Sequence, residues 1–366
     1  MGTESPNAHQ HRSRLTPTVG LGAIAVLVAG VGLAIAAAQH PRTHSPPAHP
    51  PTPVATSPRI PTPRPTGPVT GLDASVADDP ATHRVVLFGG VDSNSKTWLW
   101  DGGQWTSITP RSSPPNRYGP AAAYDPPTHV VVLFGGTSPI VGQAVQQFND
   151  TWAWTGTTWL RLNSGGVHGP TMGGGAQMAW DDTRQRMILV TNAGTLTTAE
   201  TWIWDGSGWR YQPNGNLAAI VFGAAMAYDP GSHAVVLVSP VIGDNSHTAT
   251  FRWNGSSWNA IVSSGPPVGS IAFDPLAKDL VACGSATYST GFVLRASCWQ
   301  WTGTNWLATQ VPRSPTPARS VTIEAQVDDV DDARMLMIGW LVAPQQSGAQ
   351  PLYVWAWDGV TWVLVA

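Results

Sequence analysis

Charge is scarce in this chain. Only 11% of its 366 residues are Asp, Glu, Lys or Arg, the formal net charge is -3, and no basic run occurs after residue 72. The electrostatic footprint of a nucleic-acid binder is therefore missing. Glutamate is nearly absent from the same region, with Glu200 and Glu324 alone, which leaves a paired-carboxylate hydrolase site few candidates apart from Asp. No paired-His motif is visible, and His168 and His247 stand in separate stretches. Copper chemistry needs such donors to converge. The expected composition is thus a chain with no cofactor, no metal and no catalytic residue that stands out.

What the chain has instead is glycine (38), proline (33) and tryptophan (19), a composition of many short strands joined by turns and not of helices. One signature recurs six times: Trp, then Asp, Asn or Thr, then Gly, two mostly small or polar residues, and Trp. It occurs at Trp100 to Trp105, Trp154 to Trp159, Trp204 to Trp209, Trp253 to Trp258, Trp301 to Trp306 and Trp357 to Trp362, with leading Trps 54, 50, 49, 48 and 56 residues apart. That period is one propeller blade per repeat.

Each repeat divides into four apolar runs, A to D. Strand A is expected to end at Ala77-Asp78, Tyr124-Asp125, Trp180-Asp181, Tyr228-Asp229, Phe273-Asp274 and Val327-Asp328, where the Asp opens an Asx-type turn. One Asp per blade cannot converge on calcium. Strand B is continuously apolar, as in Val85-Val86-Leu87-Phe88 and Val130 to Phe134, and so reads as buried on both faces. His83, His129 and His233 fall at equivalent points of the A–B turns, one per repeat. Strand C carries aromatics at period two, as in Trp152-Ala153-Trp154, and the Asp-Gly or Asn-Gly that follows is a strong hairpin signal. The repeated tryptophans read as packing between blades and not as sugar platforms, because they recur in every unit.

The architecture expected is all-β: a six-bladed propeller of four-stranded antiparallel blades over 72–366. The first and last units both begin and end at blade boundaries, so the ring closes by packing of the first blade on the last. Upstream, 1–18 reads as a cytoplasmic tail. The uncharged span Val19–Ala38, preceded by Arg12 and Arg14, is long enough for a transmembrane helix with the N-terminus inside. Ala36-Ala37-Ala38 also fits a signal-peptide cleavage site; the length favours an uncleaved anchor, and either way the propeller is exported. Between them, 39–71 holds eleven prolines and no acidic residue, a disordered, semi-rigid stalk.

The apolar strand B closing in Gly89-Gly90 and Gly135-Gly136, the downstream aromatic pairs and the lead-in Pro114-Pro115-Asn116-Arg117-Tyr118-Gly119 together resemble bacterial kelch-like repeats and the central propeller of galactose-oxidase-type proteins. The resemblance covers the whole propeller. Later units depart from it at Thr191-Asn192, Ser239-Pro240, Gly284-Ser285 and Gly339-Trp340. It implies fold more than function, since such propellers serve as enzymes, adhesion modules and scaffolds. A galactose-oxidase-like copper site would need two His and two Tyr, one Tyr cross-linked to Cys; Tyr288 is near Cys283 in sequence, yet no His cluster accompanies it. A propeller glycoside hydrolase is the other enzymatic alternative, although the Asp-box order Ser-x-Asp-x-Gly-x-Thr-Trp is not reproduced.

The reading favoured is a non-catalytic extracellular module binding a protein or a glycan at the cell surface. Recognition is expected on the B–C loops, Val91–Lys96, Thr137–Asp150, Asn192–Glu200, Val241–Thr248, Ser285–Ser297 and Leu341–Leu352, which vary in length on a rigid ring. Asn94, Lys96, Gln146, Asn192, Asn245, His247, Tyr288 and Gln345 are the candidate contacts. Cys283 and Cys298, at the end of strand B and the start of strand C of the fifth unit, are expected to form a disulfide.

Overall fold

The computed structural model describes residues 67–70, 73–90, 95–138, 145–163, 165, 169–171, 175–192, 198–213, 217, 223–241, 244–266, 269–287, 293–309, 321–329, 332–341 and 350–366. The expected tail, membrane span and most of the stalk (1–66) lie outside them.

Six antiparallel sheets of four strands follow one another, each ordered A-B-C-D as in the chain. Blade 1 is Ala74–Asp79, Arg84–Gly89, Thr97–Trp100 and Trp105–Ile108. Blade 2 is Ala121–Asp125, Val130–Phe134, Thr151–Trp154 and Trp159–Asn163, and blade 3 is Gln177–Asp181, Arg186–Asn192, Ala199–Trp204 and Trp209–Gln212. Blade 4 is Ala225–Asp229, Ala234–Val241, Asp244–Trp253 and Trp258–Gly265; blade 5 is Ser270–Asp274, Asp279–Thr287, Val293–Trp301 and Trp306–Ala308. Blade 6 is Val321–Asp329, Arg334–Leu341, Tyr353–Trp357 and Trp362–Leu364.

Six hydrophobic clusters hold the ring, one at each seam between neighbouring blades. The seam of blades 1 and 2, for example, joins Val86 and Phe88 to Val131, Trp154 and Trp159. The closing seam packs Val85, Leu87, Trp100 and Trp105 against Leu336, Ile338, Val354 and Ala356. The strand B side chains are almost all fully buried, as expected for strands covered on both faces.

The Trp-Gly signature is the C–D hairpin. Its two Trps face each other directly in every blade, as in Trp100↔Trp105 and Trp301↔Trp306, with ring centroids 5.5 and 4.9 Å apart in those two. The intervening glycines sit at φ between 86 and 101°, a region a Cβ disfavours. The Asp or Asn before them accepts from the next two N–H groups: Asp205 Oδ1 from Ser207 and Gly208, Asn254 Oδ1 from Ser256 and Ser257. The Ser207 hydroxyl and these amides hold the Asp205 carboxyl well below the usual range.

A second bond ties blades together. The second Trp of a blade donates its indole N–H to a Thr of strand C in the preceding blade: Trp159 to Thr97 at 2.8 Å, Trp209 to Thr151 at 2.9 Å, Trp258 to Thr201 at 3.0 Å and Trp306 to Thr250 at 2.9 Å. The ladder registers put Cys298 and Val354 at the equivalent position of blades 5 and 6. The buried Trp105 N–H, which would meet Val354, has no hydrogen-bond partner.

Three expectations need correction. In blades 1 and 6 the turn carboxylate is not Asp78 or Asp328 but the next residue: Asp79 pairs with Arg84 and Asp329 with Arg334. Two consecutive aspartates permit either reading, and the ladder chooses the second because Thr82 can then donate to Asp79 Oδ2 at 2.7 Å. The B–C connections of blades 4 and 5 are not loops over Val241–Thr248 and Ser285–Ser297. Strands B and C run on, with Val241 paired to Asp244 and Thr287 to Val293. Finally, the end of the supposed stalk belongs to the propeller: Val69–Thr70 pairs with Gln350–Pro351, and Leu352 donates its backbone N–H to Pro68 O at 3.1 Å. This strap crosses the seam where first and last blades meet.

Candidate functional site

Of the eight residues expected on the B–C loop face, five are described, and they fall in different settings. Asn94, Tyr288 and Gln345 lie outside the described residues. Asn192 is buried, 1% exposed, at the end of strand B in blade 3, and its carbonyl accepts from Thr171 Oγ1 at 3.1 Å; it is not a surface contact. Asn245 and His247 are on strand C of blade 4 and not in a loop. Lys96 and Gln146 are exposed, in blades 1 and 2. Lys96 Nζ lies 5.9 Å from the Trp98 ring centroid, while the Gln146 backbone is pinned to Ser138.

The blade 2 lead-in is structural. Arg117 is fully buried, with Nη1 2.6 Å from Asp150 Oδ1 and Nη2 3.3 Å from Oδ2. Nη1 also donates to Gly135 O at 2.7 Å, and the guanidinium stacks 4.2 Å from the Phe148 centroid. A Cβ on Gly89 would come within 2.6 Å of Arg117 O. The double glycines and the Arg lead-in are therefore one device: the glycines make room for the D–A link that carries Arg117.

Cys283 and Cys298 face each other across the B–C ladder of blade 5 and are bonded. Gln326, buried beside them, donates Nε2–H to Cys283 Sγ at 3.2 Å and accepts from Ser270 Oγ and Cys283 N.

The feature that the repeats do build is axial. Strand A is the innermost strand of each blade, and all six contribute to a cavity of about 620 Å³ opening at the A–B turn end. The residue just before each turn Asp lines it: Asp78, Tyr124, Trp180, Tyr228, Phe273 and Asp328 from blades 1 to 6. Blades 2 to 5 thus present four consecutive aromatic rings, and the adjacent blades 6 and 1 present two carboxylates. A further cavity of about 350 Å³ opens at the opposite end, past a waist of Val76, Ala122, Met226, Ile271 and Gln326 shared by both.

Neighbouring turns fix the aromatic rims. Tyr124 Oη is 3.2 Å from His129 Nδ1, Tyr228 Oη is 2.8 Å from Thr183 Oγ1 of the previous blade, and Trp180 Nε1 donates to Asp182 Oδ1 at 3.4 Å. Side chains held this way form a preorganised surface. Burial, then the carboxylates of Asp79, Asp78 and Asp125, push the Tyr124 phenol up. Burial likewise raises the Asp328 carboxyl, with Asp329 adding to it.

The repeated histidines have a backbone explanation. His83, His129 and His233 occupy the left-handed position of their A–B turns at φ 53–54°, where blades 3, 5 and 6 place Gln185, Lys278 and Ala333. Among the described residues, no three His, Cys, Asp or Glu side chains gather as metal ligands would. No described helix is long and apolar enough to cross a membrane.

No protein-family model matches the sequence, and comparison with curated proteins gives no match. Solved structures do resemble it. YjhT superposes with a TM-score of 0.55 at 13% identity, covering 81% of this chain and 98% of its own. A protein of unknown function from Dyadobacter fermentans gives 0.52 at 13% identity, covering 79% and 97%. SapL1 lectin, solved with alpha methyl fucoside, gives 0.49 at 15%, covering 80% and 95%. At these identities what YjhT and the Dyadobacter protein share with this chain is the fold: a six-bladed β-propeller of four-stranded antiparallel blades.

Proposed function

We propose that this chain is a non-catalytic binding propeller, held outside the cell by the apolar span 19–38 and the Pro-rich segment after it, and that its ligand, a glycan or a group borne on a protein, enters the axial cavity at the A–B turn end. The observation that carries this reading is the cavity itself: about 620 Å³, walled by all six inner strands and ringed by Tyr124, Trp180, Tyr228 and Phe273. A concave, mostly apolar site with a few polar groups is the usual form of a small-ligand pocket. Aromatic faces there supply large contact area for the flat side of a sugar ring or another organic group. The kelch-like character of the repeats is supported by the coupling of Gly89 and Gly135 to Arg117, and the outside location by the charge flanking the span. The test is ligand binding, on a glycan array and by calorimetry, with wild type against Trp180→Ala. Binding lost in that variant supports the cavity; binding unaffected by it sends the site elsewhere.

A second reading, a glycoside hydrolase, is favoured by one observation: Asp78 and Asp328 share the cavity, and burial raises the latter as in a general acid. Turnover of aryl glycosides that disappears in Asp328→Asn would establish it.

A further inference from the structure

We propose that the A–B mouth of the axial cavity takes an organic ammonium ion, with a methylated ammonium group as its preferred occupant; this deepens, and rests on, the reading of the cavity as the ligand site. Two independent features of the wall point to positive charge. The first is the arc of four consecutive aromatic residues from blades 2 to 5, all lining one space. Ring faces carry negative quadrupole charge, and rings gathered around a small volume form the type of cage that attracts quaternary ammonium groups. The second is the polar complement: Asp78, Asp182 and Asp328 line the same cavity, and no Lys, Arg or His is among the described residues that do.

Basic side chains of the neighbouring turns stand outside the lining, with His129 meeting only the hydroxyl end of Tyr124 and Lys278 placed at the blade 5 turn. Arg184 is held by Asp181 Oδ2 at 3.0 Å and Asn254 O at 2.9 Å, and Arg334 by Asp332 Oδ2 at 2.6 Å and Asp329 Oδ2 at 3.3 Å. The charged side chains that line the mouth itself are carboxylates, and a low-dielectric wall focuses their field. Burial raises the Asp328 carboxyl; a bound cation would favour its ionised form.

The asymmetry specifies the ligand further. Asp328 and Asp78 stand on blades 6 and 1, Asp182 beside Trp180 on blade 3, and the aromatic residues on blades 2 to 5, so carboxylates and aromatic side chains both border the space a cation would fill. Methylation suits it, because methyl groups contact rings and lower the cost of leaving water, whereas a bare alkali ion would have to give up hydration for too few oxygens. The volume exceeds that of a single ammonium group, which leaves room for the rest of the molecule to extend towards solvent.

The test is isothermal calorimetry on the folded chain with tetramethylammonium, choline and the neutral isostere 3,3-dimethylbutan-1-ol. Vesicles of phosphatidylcholine form a separate arm, which distinguishes a headgroup from a free ion. The expected result is that choline or the headgroup binds and the neutral isostere binds about tenfold or more weakly. Trp180→Ala should then cost about tenfold, Trp180→Phe should recover part of it, and Asp328→Asn should weaken binding several-fold and flatten its salt dependence. Unfolding midpoints establish that each variant is folded. Equal affinity for choline and its neutral isostere overturns the proposal, as does choline binding indifferent to Trp180→Ala or no ammonium binding at all. If a glycan still binds in a Trp180-dependent way, the cavity remains the ligand site and only its charge preference is wrong. If nothing binds there, both readings fall.

Discussion

Replacing Val354 with Thr should stabilise this ring, against the general trend for core substitutions. Four seams carry a Trp indole donating to a Thr hydroxyl on the preceding blade at 2.8–3.0 Å. At the closing seam the acceptor is replaced by Val354, fully buried in the cluster that holds Trp105, and the Trp105 N–H is orphaned. Val and Thr have nearly the same shape. The exchange loses about 1 kcal/mol of methyl burial, and it gains about 1 kcal/mol of net hydrogen bond plus relief of a buried donor worth about 1–3 kcal/mol. The expected balance is a gain of about 1–3 kcal/mol, a rise of about 2–6 °C in unfolding midpoint for a domain of this size. The reverse change, Thr201→Val, orphans Trp258 and should cost about 1–3 kcal/mol. Calorimetric or urea unfolding of both variants decides the matter. If Val354→Thr destabilises as much as Thr201→Val, the seam bonds are incidental contacts and the argument from the missing acceptor fails.

Arg117→Met removes the closest cation from buried Asp150, leaving it the Trp152 indole N–H at 2.8 Å and Arg161 at 3.9 Å, and should cost about 3 kcal/mol in urea unfolding; a loss under about 1 kcal/mol would show that the guanidinium is not what holds the link. Reducing the Cys283–Cys298 bond, which spans 15 residues, should lower stability by about 3 kcal/mol, seen as a lower midpoint in reductant for wild type but not for Cys283→Ala/Cys298→Ala. His233→Gly relieves a left-handed backbone at φ 53° and should be neutral or stabilising by up to about 1 kcal/mol, whereas a metal-binding histidine would leave a loss of metal affinity behind. Asp328→Asn should stabilise the protein at pH 7 and not at pH 3.5. Burial raises the folded pKa above the unfolded value near 3.9, so stability is present below that value and is lost as pH rises through the folded pKa, a loss the uncharged amide avoids. A gain that grows on acidification would refute this sign.

Blade number, strand order and the packing role of the tryptophans were legible because each rests on a local pattern repeated six times: the Trp-Gly hairpin, the apolar strand B and the turn Asp. Local patterns also misled where they were degenerate. Asp78-Asp79 and Asp328-Asp329 offered two registers, and a one-residue slip hid the fact that Asp78 and Asp328 occupy the same position as Tyr124, Trp180, Tyr228 and Phe273. With that alignment made, the arc of aromatics and the pair of acids can be read directly from six short segments. The B–C stretches pointed the other way because polarity alone does not distinguish a loop from an extended hairpin: Asn245 and His247 have the composition of a connection and the backbone of a strand. Asn192 is capped by Thr171 of a D–A link, and Arg117, itself on such a link, is buried against Asp150 and Phe148, contacts between segments well apart in sequence that no periodicity announces.

Blade 6 has a different mechanical standing from the other five. On one side its neighbour offers Cys298 in place of a threonine acceptor, and on the other its own Val354 offers none, while four remaining seams keep their indole bonds. Its closing side is instead bridged by backbone, through Val69–Thr70 on Gln350–Pro351. The ring should therefore come apart in a set order: amide exchange should be fastest along Arg334–Leu341 and Tyr353–Trp357 relative to the same strands of blade 3. Removing residues 67–70 should speed that opening without touching the opposite side of the ring. A propeller with one door can be loaded, permuted or cut for fusion at that door while the other five blades stay packed.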